Sequence, residues 1–339
     1  MNNETRKETQ VLPKDVRYVG ADDLTLPLFE NQYPVQPMGV SYNSYLILDE
    51  KIAVMDSVDA RAADEWLAKL THELNGRSPD YLVISHMEPD HSGSILRLAE
   101  RYPEMQLVGN AKTFAMLRQF FGAKAPTDDR LLEVGEGETL PLGAHTLHFM
   151  LAPMVHWPEV MVAYEETEKI LFSADAFGRF GALSRTAAAP WAPQARRYYY
   201  NIVGKYGAQV QALLKKASAL EIETICPLHG PVLTGGALAE ALRLYDLWSR
   251  WQSESPDDIL LAHASIHGNT ARAAELLKQK LEAKGARVTL CDLTTTEVSY
   301  AVANAFYCGK LVLACSTYDG GLFPPMEEFL SHLQAKGFR

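Results

Sequence analysis

The alternation of apolar and polar positions early in the chain predicts a pair of strands followed by a helix. Two apolar runs in "SYNSYLILDEKIAVMDSV" lie on either side of a polar turn at residues 49–51, which is typical of neighbouring strands. Downstream, "ARAADEWLAKLTHEL" repeats its apolar residues every three or four positions, which is helical spacing. The residues on that helix face are Ala63, Trp66, Leu67, Leu70 and Leu74. We expect this face to be buried.

Strands followed by helices recur up to about residue 255. A strand over residues 81–84 precedes helices in "GSILRLAERY" and "AKTFAMLRQFF". Further strands are predicted in "HTLHFMLAP", "VMVAY", "KILFS" and "EIETI". The segment "RRYYYNIVGKYGAQVQALLKKAS", residues 196–218, is predicted to form one long helix. This order, repeated twice, predicts two sheets packed between helices, an α+β arrangement.

A polar, proline-bearing segment, "SRWQSESPDD" at residues 249–258, marks the best candidate domain boundary. After it the pattern changes to simple alternation of strands in "ILLAHAS", "RVTLCDL" and "KLVLACS" with helices between and after them. Such alternation predicts a parallel, doubly wound α/β sheet. We therefore expect a first domain at residues 1–254 and a second at residues 255–339.

The composition narrows the classes of function. At 339 residues the chain is longer than one core usually serves, so two domains are expected. The net charge of -10 argues against a nucleic-acid-binding surface. No apolar run approaches the ~18 residues of a membrane span and no secretory signal is recognisable, so a cytoplasmic protein is expected. The four cysteines form no C-x-x-C pair, which disfavours a rubredoxin-type site and predicts buried free thiols.

The stretch "ISHMEPDHSG", residues 84–93, concentrates potential metal ligands directly after a predicted strand. Within six positions it holds His86, Glu88, Asp90 and His91. A single histidine or acid after a strand is more often a surface or capping residue than a ligand. Two imidazoles and two carboxylates in one tight loop, however, form a donor set that metals favour.

Three more candidate ligands follow later strands. They are His156 after "HTLHFMLAP", Asp175 after "KILFS" and His229 after "EIETI". Loops after successive strands tend to share one edge of a sheet, so we expect all seven residues to converge. Seven ligands exceed what one metal needs, which favours two metals that share a bridging carboxylate. Four other histidines are expected to be ordinary surface or strand residues: His72, His145, His148 and His332.

Two segments of the second domain are candidates for binding a flavin. The first joins a strand to a helix and offers backbone amides and hydroxyls to a phosphate, although it could equally be a capped turn. Its residues are Ser265, Ile266, His267, Gly268, Asn269 and Thr270. The second segment follows the third strand, and in a flavodoxin-like order the first and third strands flank the flavin site. Its residues are Ser316, Thr317, Tyr318, Asp319 and Gly320.

The order of the seven candidate ligands resembles the di-iron site of the flavodiiron proteins. The flanking segments "GVSYNSYLI", "HWPEVM", "KILFSADAFG" and "GLFPP" are also similar to that family. The resemblance runs from about residue 10 to the end of the chain. It implies a metallo-β-lactamase-like αββα sandwich followed by a flavodoxin-like domain that binds FMN.

The resemblance also implies a role for each ligand at two iron ions per chain. One iron would be bound by His86, Glu88, His156 and Asp175. The other would be bound by Asp90, His91, Asp175 and His229, with Asp175 bridging. Hydrolytic zinc sites of the wider superfamily have a histidine where Glu88 stands. A carboxylate there adds negative charge and a harder ligand, which favours iron.

The activity implied by the resemblance is reduction of O2 to water, of NO to N2O, or of both. An external electron donor, a rubredoxin, and a head-to-tail homodimer are implied as well. Only three of the five strands of a flavodoxin-like sheet are recognisable, so we expect a fragment or a truncated product. A zinc hydrolase with a vestigial flavodoxin segment is the alternative hypothesis. A non-catalytic electron carrier is a third, and it leaves the seven metal-ligand candidates unexplained.

Overall fold

The computed structural model describes residues 12–338 of the chain. It contains two compact units. The first consists of the described residues up to Ala195 together with Ala212–Leu242, and the second of Arg196–Gln211 together with the chain from Arg243 onwards. Each unit is therefore built from two separate segments of the chain, which a single boundary in the sequence cannot represent. The assignment of domains to residues 1–254 and 255–339 stays a prediction.

Strands from the N-terminal part of the chain build the first large sheet. In chain order they are β1 (Val16–Tyr18), β2 (Ala21–Asp23), β3 (Leu28–Phe29), β4 (Tyr33–Pro34), β5 (Val40–Tyr42), β6 (Tyr45–Ile47), β7 (Ala53–Met55), β8 (Tyr81–Val83), β9 (Gln106–Gly109) and β10 (Leu131–Glu133). The six-stranded sheet has the order β1-β6-β7-β8-β9-β10. β6 and β7 pair antiparallel across the predicted turn, whereas β7 to β10 run parallel. The short strands β2 with β5, and β3 with β4, form separate pairs.

A second six-stranded sheet follows. Its strands are β11 (Thr139–Pro141), β12 (Thr146–Leu151), β13 (Met161–Glu165), β14 (Ile170–Phe172), β15 (Thr224–Cys226) and β16 (Leu233–Thr234), and they pair in that order. All neighbours are antiparallel except β14 and β15, which are parallel. The carboxyl ends of β14 and β15 therefore open at the same edge of the sheet, which is where two of the candidate ligands follow.

The core of the first unit lies between these two sheets. Tyr45, Met55 and Val108 from the first sheet and Phe149 and Phe172 from the second belong to one buried apolar cluster. The rings of Tyr45 and Phe172 meet edge to face with centroids 5.6 Å apart. Burial of the two inner faces supplies the main driving force for this arrangement.

The helices of both units carry the predicted faces. In chain order they are α1 (Ala63–Leu74), α2 (Pro89–Ser92), α3 (Ile95–Arg101), α4 (Ala111–Phe121), α5 (Leu183–Thr186), α6 (Trp191–Tyr198), α7 (Gly207–Ala217), α8 (Gly235–Ser249), α9 (Asn269–Glu282), α10 (Val298–Tyr307) and α11 (Pro324–Ala335). All five apolar residues predicted for the inner face of α1 are buried. The helical spacing in this segment was thus a reliable guide.

The prediction of one long helix over residues 196–218 is wrong. After α6 comes a π-helical turn, Tyr199–Val203, then a 3-10 turn, Gly204–Tyr206, and only then α7. All five residues of the π-helical turn are buried. A regular α-helix turns part of such a consecutive run toward solvent. The glycines at 204 and 207 are weak helix formers, which makes an interruption of the α-helix less costly at this point.

The second unit contains a three-stranded parallel sheet. Its strands are β17 (Ser255–Ala264), β18 (Val288–Asp292) and β19 (Cys308–Cys315), in the order β18-β17-β19. A small hairpin of β20 (Thr317–Tyr318) and β21 (Gly321–Leu322) follows β19. The first strand lies in the middle, so the loops after β17 and β19 are neighbours. The predicted parallel alternation of strands and helices is confirmed.

Two expectations about the whole chain can be checked on residues 12–338. Within that range, no helix combines the length and the apolar character that a membrane crossing requires. The four cysteines are free of disulfides, and Cys226, Cys291 and Cys308 are buried while Cys315 is partly buried. The prediction of buried free thiols is confirmed for three of the four.

Candidate metal centre and flavin loops

The loop after β8 is shaped by a buried carboxylate and a one-turn helix. Asp56 Oδ1 accepts a hydrogen bond from the backbone N–H of Ser85 at 2.7 Å, which fixes the chain as it leaves the strand. Glu88 precedes the short helix α2, whose first residue is Pro89, a favoured residue at that position. Asp90 and His91 lie within α2 and are buried. The loop supplies His86 and Glu88, and the helical turn that follows supplies Asp90 and His91.

The remaining three candidates come from loops of the second sheet. His156 lies between β12 and β13, Asp175 follows β14 and His229 follows β15. The structure gathers all seven residues into two groups whose ligand atoms lie within 4.8 Å of one another. The first group is His86, Glu88, His156 and Asp175, and the second is Asp90, His91 and His229.

Asp175 faces both groups, with a different oxygen toward each. Its Oδ2 lies 3.2 Å from His86 Nε2 and 3.0 Å from His156 Nε2. Its Oδ1 lies 3.4 Å from His91 Nε2 and 3.6 Å from His229 Nε2. Asp175 is fully buried, and each of its oxygens is directed at one group of imidazoles. This is the arrangement expected of a carboxylate that bridges two metal ions.

Each group has a second carboxylate of its own. Glu88 Oε2 lies 3.3 Å from His86 Nε2 and 3.1 Å from His156 Nε2. Asp90 Oδ2 lies 3.3 Å from His91 Nε2 and 3.2 Å from His229 Nε2. Two imidazoles, one private carboxylate and one shared carboxylate therefore surround each of two positions.

The donor chemistry fits metal ions at these positions. The Nδ1–H of His86 donates to Glu159 Oε1 at 2.8 Å, and that of His229 donates to the Ser41 carbonyl at 2.7 Å. In both rings the other nitrogen, Nε2, is left as the ligand atom. The Nε2 atoms of His91 and His229 approach to 3.0 Å, an approach of two like atoms that a metal ion between them explains. Neither oxygen of Asp90 has a well-formed hydrogen bond within the described residues.

The charges of the site explain the pKa shifts of its groups in the absence of metal. Burial lowers the pKa of His91, but Asp90 and Asp175 outweigh it and raise the pKa to about 10. Burial also opposes protonation of His156, yet Asp175 and Glu88 raise its pKa to about 9. Burial acts upward on the pKa of Asp175, and the surrounding imidazoles reverse this and hold it well below the usual range. The site therefore holds protons where it would otherwise hold cations.

A cavity of about 640 Å³ opens onto the ligand groups. Its lining includes two of the candidate ligands, Glu88 and Asp90. Other lining residues are Glu30, Tyr42, Arg61 and Trp157. Burial and the neighbouring Glu88 carboxylate raise the pKa of Glu30 to about 8. The cavity gives a small molecule access to the site from outside the first unit.

The sequence-based prediction missed the carboxylates around the ligands. Glu30, Asp56 and Glu159 each contact or face the ligand groups, but none of them is among the seven predicted ligands. For Glu159 a signal was available: it is an acid in "HWPEVMVAY", just before an otherwise apolar strand. Of the four histidines set aside, His145 is buried and lies 2.7 Å from Asp49 Oδ2. None of the four joins the two ligand groups of residues 12–338.

The two candidate flavin segments meet at the carboxyl ends of β17 and β19. Ala264 and Cys315, the last residues of these strands, are register partners. Thr270 Oγ1 and Ser316 Oγ lie 2.9 Å apart. The start of α9 and the start of the second segment are therefore next to each other. Gly268 has a φ of 84°, a left-handed conformation that turns the chain into α9. Amides at the start of α9 beside two hydroxyls fit a phosphate group.

The fold and the ligand groups together define a class of protein. Two facing sheets whose strand-end loops hold two clusters of histidines and carboxylates form a metallo-β-lactamase-like domain built for two metal ions. A family model described as "ODP family beta lactamase" matches residues 40–230. The chain belongs to this family.

Named relatives and solved structures agree with this assignment. The rubredoxin-oxygen oxidoreductase of Megalodesulfovibrio gigas is 29% identical over 330 residues, which cover 95% of this chain and 80% of that protein. The nitric oxide reductase of Moorella thermoacetica is 27% identical over 326 residues, covering 94% and 80%. The flavodiiron protein from Giardia intestinalis matches with a TM-score of 0.88 at 28% identity, covering 97% and 80%. The predicted resemblance to the flavodiiron proteins and the predicted fold class are confirmed.

Proposed function

We propose that this protein is a flavodiiron oxidoreductase that reduces O2 to water, NO to N2O, or both. The observation that carries the proposal is the pair of ligand groups joined by Asp175, in which Glu88 supplies a carboxylate to the first. Two relatives named for these activities, an oxygen oxidoreductase and a nitric oxide reductase, support it. A metal domain at residues 1–254 and an FMN domain at residues 255–339 are part of this proposal.

The seven candidate ligands would bind two iron ions per chain. His86, Glu88 and His156 would hold one iron, and Asp90, His91 and His229 the other, with Asp175 between them. Carboxylate oxygens are hard, anionic donors that stabilise the ferric state, so the site is suited to redox cycling. Trp157 and Tyr42 line the cavity that leads to the ligand groups.

The electron count matches the two proposed cofactors. Reduction of O2 to two waters consumes four electrons and four protons, and reduction of two NO to N2O and water consumes two of each. Two iron ions and one FMN together can supply four electrons, which meets either requirement. The residues proposed to hold FMN are those from Ser265 to Thr270, at the start of α9, and from Ser316 to Gly320, after β19.

The alternative of a zinc hydrolase is less well supported. Its hydrolytic site would be expected to carry a histidine where this chain has Glu88. The relatives named above are oxidoreductases rather than hydrolases. A vestigial flavin segment would also not require the close approach of Thr270 and Ser316, 2.9 Å apart.

The remaining parts of the proposal concern partners and location. A rubredoxin-type donor is proposed because two relatives are named rubredoxin-oxygen oxidoreductase and flavorubredoxin. A head-to-tail homodimer is proposed from the family resemblance. A cytoplasmic location is proposed because the four cysteines are unpaired, as is usual in a reducing compartment.

The test combines metal analysis with turnover. The full chain is purified and its iron, zinc and FMN are quantified. Consumption of O2 or NO, added separately to degassed solutions, is then followed with reduced rubredoxin as the electron donor. We expect two irons per chain and consumption of at least one gas. Asp175→Ala, which removes the shared carboxylate, should abolish consumption, whereas the control His148→Gln, at a partly exposed position away from the ligand groups, should not. Two zinc ions per chain with no reductase activity, and turnover of a thioester or lactam, would support the hydrolase instead.

A further inference from the structure

Glu159 is a buried carboxylate that no ligand group includes. It lies three residues after His156 and just before β13, and only 1% of it is exposed. Its Oε1 accepts hydrogen bonds from His86 Nδ1 and from the backbone N–H of Met87, both at 2.8 Å. One oxygen thus holds both the ring of a candidate ligand and the loop that carries it.

Glu159 is not itself placed to bind a metal ion. It contacts the Nδ1 side of the His86 ring, whereas the ligand atom Nε2 is directed at Glu88 and Asp175 on the other side. Its position is fixed by the side-chain amide of Asn110, which donates to the Glu159 carbonyl at 2.6 Å. Any influence on a metal ion must therefore pass through His86.

In the second ligand group no carboxylate within the described residues is hydrogen-bonded to His91 Nδ1, although the buried Asp56 carboxylate acts on His91 through its charge. His229 Nδ1 donates to a neutral backbone carbonyl, that of Ser41, at 2.7 Å. His91 Nδ1 is buried and has no hydrogen-bond partner within the described residues. The two groups have matching donors toward the metals, but they differ in what lies behind the rings.

A carboxylate behind an imidazole changes the ring as a ligand. The N–H···O⁻ hydrogen bond fixes the proton on Nδ1, polarises the ring and makes Nε2 a stronger donor. Such carboxylates typically account for about 10–100-fold in metal affinity.

We propose that Glu159 is a positioning residue that makes the metal position of His86, Glu88 and His156 the tighter of the two. The first ion to enter the site is held there, and the position of Asp90, His91 and His229 is filled second. This inference rests on the metal-binding part of the proposed function and extends it to an order of loading. It does not depend on which gas is reduced.

The key variant is Glu159→Gln in the full chain. Glutamine has the same shape, and its amide oxygen can take the place of Oε1 and accept both hydrogen bonds, so the charge is the main loss. The metal-free protein is titrated with Co²⁺ alone against a competing chelator, and the visible bands of bound Co²⁺ are followed. We expect the tighter of two binding steps to weaken by roughly 10–100-fold while the weaker step is unchanged.

Glu165→Gln is the matched control. Glu165 is also fully buried, and its carboxylate accepts the backbone N–H groups of Thr167 at 2.9 Å and Glu168 at 2.7 Å. Within the described residues it belongs to neither ligand group, and its hydrogen bonds go to Thr167 and Glu168, so both Co²⁺ steps should equal those of the wild type. A loss of affinity shared by both buried glutamates would assign the effect to general destabilisation and overturn the proposal.

Two further variants separate charge from geometry. Glu159→Asp keeps the charge on a shorter side chain, and its tighter step should lie between those of the wild type and Glu159→Gln. A value below that of Glu159→Gln would assign the effect to hydrogen-bond geometry alone. A second test does not use Glu159 variants and so does not depend on how they fold. His229→Gln should remove the weaker Co²⁺ step, and His86→Gln should remove the tighter one. The reverse assignment would refute the proposed order.

The outcomes distinguish this inference from the proposed function. A wild-type chain that binds no Co²⁺ would contradict the metal centre itself. A wild-type chain that binds two ions, with Glu159→Gln showing the same two affinities, would overturn only the role of Glu159. Equal weakening of both steps in Glu159→Gln would also overturn it, because the charge would then not act through His86.

Discussion

Metal loading of the two ligand groups is expected to release protons and to strengthen steeply as the pH rises. In the metal-free protein the pKa of His91 is raised to about 10 and that of His156 to about 9, because carboxylates outweigh the effect of burial. Both imidazoles must lose a proton before Nε2 can bind an ion. At pH 7 these two deprotonations cost about 4 and about 3 kcal/mol, respectively. Each cost falls by about 1.4 kcal/mol per pH unit.

The affinity for metal should therefore rise about tenfold per pH unit for each of these histidines, or about 100-fold between pH 7 and pH 8 for both. Calorimetric titration with Zn²⁺ in buffers of different ionisation enthalpy measures the protons released, and about two or more per chain are expected at pH 7. His148→Gln is the control, since His148 is partly exposed and lies 2.8 Å from Glu166, away from the ligand groups. Affinity that is independent of pH, with no proton release, would refute the reasoning.

The same protonation should appear in the stability of the metal-free protein. Burial opposes the charged forms of His91 and His156, but their carboxylate neighbours raise the folded-state pKa above the unfolded value of about 6.5. Their stabilising contribution is thus fully present below about pH 6.5 and is lost as the pH rises through about 9 and about 10. Urea unfolding of the chelator-treated protein between pH 6 and pH 10 should show this decline. Saturation with Zn²⁺ should diminish it.

Three further predictions concern the ligand, the flavin segment and the core. Glu88→His should lower the iron-to-protein ratio and the rate of O2 or NO consumption, and full iron content with full turnover would contradict the role given to the carboxylate. Thr270→Val should weaken FMN binding by roughly 10–100-fold, because a hydrogen bond to a charged phosphate is worth about 1.5–3 kcal/mol. Binding is measured by quenching of flavin fluorescence. The control is Thr289→Val on β18, which is exposed and lies outside both flavin segments. Leu70→Ala in the fully buried face of α1 should lower the free energy of unfolding in urea by about 2–5 kcal/mol, whereas Leu24→Ala, at an exposed position, should cost much less.

Local periodicity predicted most elements because each strand and helix repeats its apolar residues at its own period. The strands around residues 49–51 and the buried face of α1 are examples, and both are present. Periodicity failed at residues 196–218, where the helix is interrupted by the π-helical turn Tyr199–Val203. There the burial of consecutive residues, which depends on distant neighbours, decided the backbone.

The sequence by itself determined which residues could act as metal ligands. Imidazoles and carboxylates at the ends of successive strands are visible without coordinates. The choice of Glu88 over a histidine, and with it the bias toward iron, is also a property of the sequence alone.

Only the tertiary structure decided how these residues are paired and supported. It showed that Asp175 directs one oxygen at each group, and that Glu159 lies behind His86 although 73 positions separate them in the chain. It also assigned Arg196–Gln211 to the second compact unit, which no local pattern indicates. The physical reason is the same in each case. Hydrogen bonds and ion pairs act over about 3 Å in space, and the sequence gives no distance between residues that packing alone brings together.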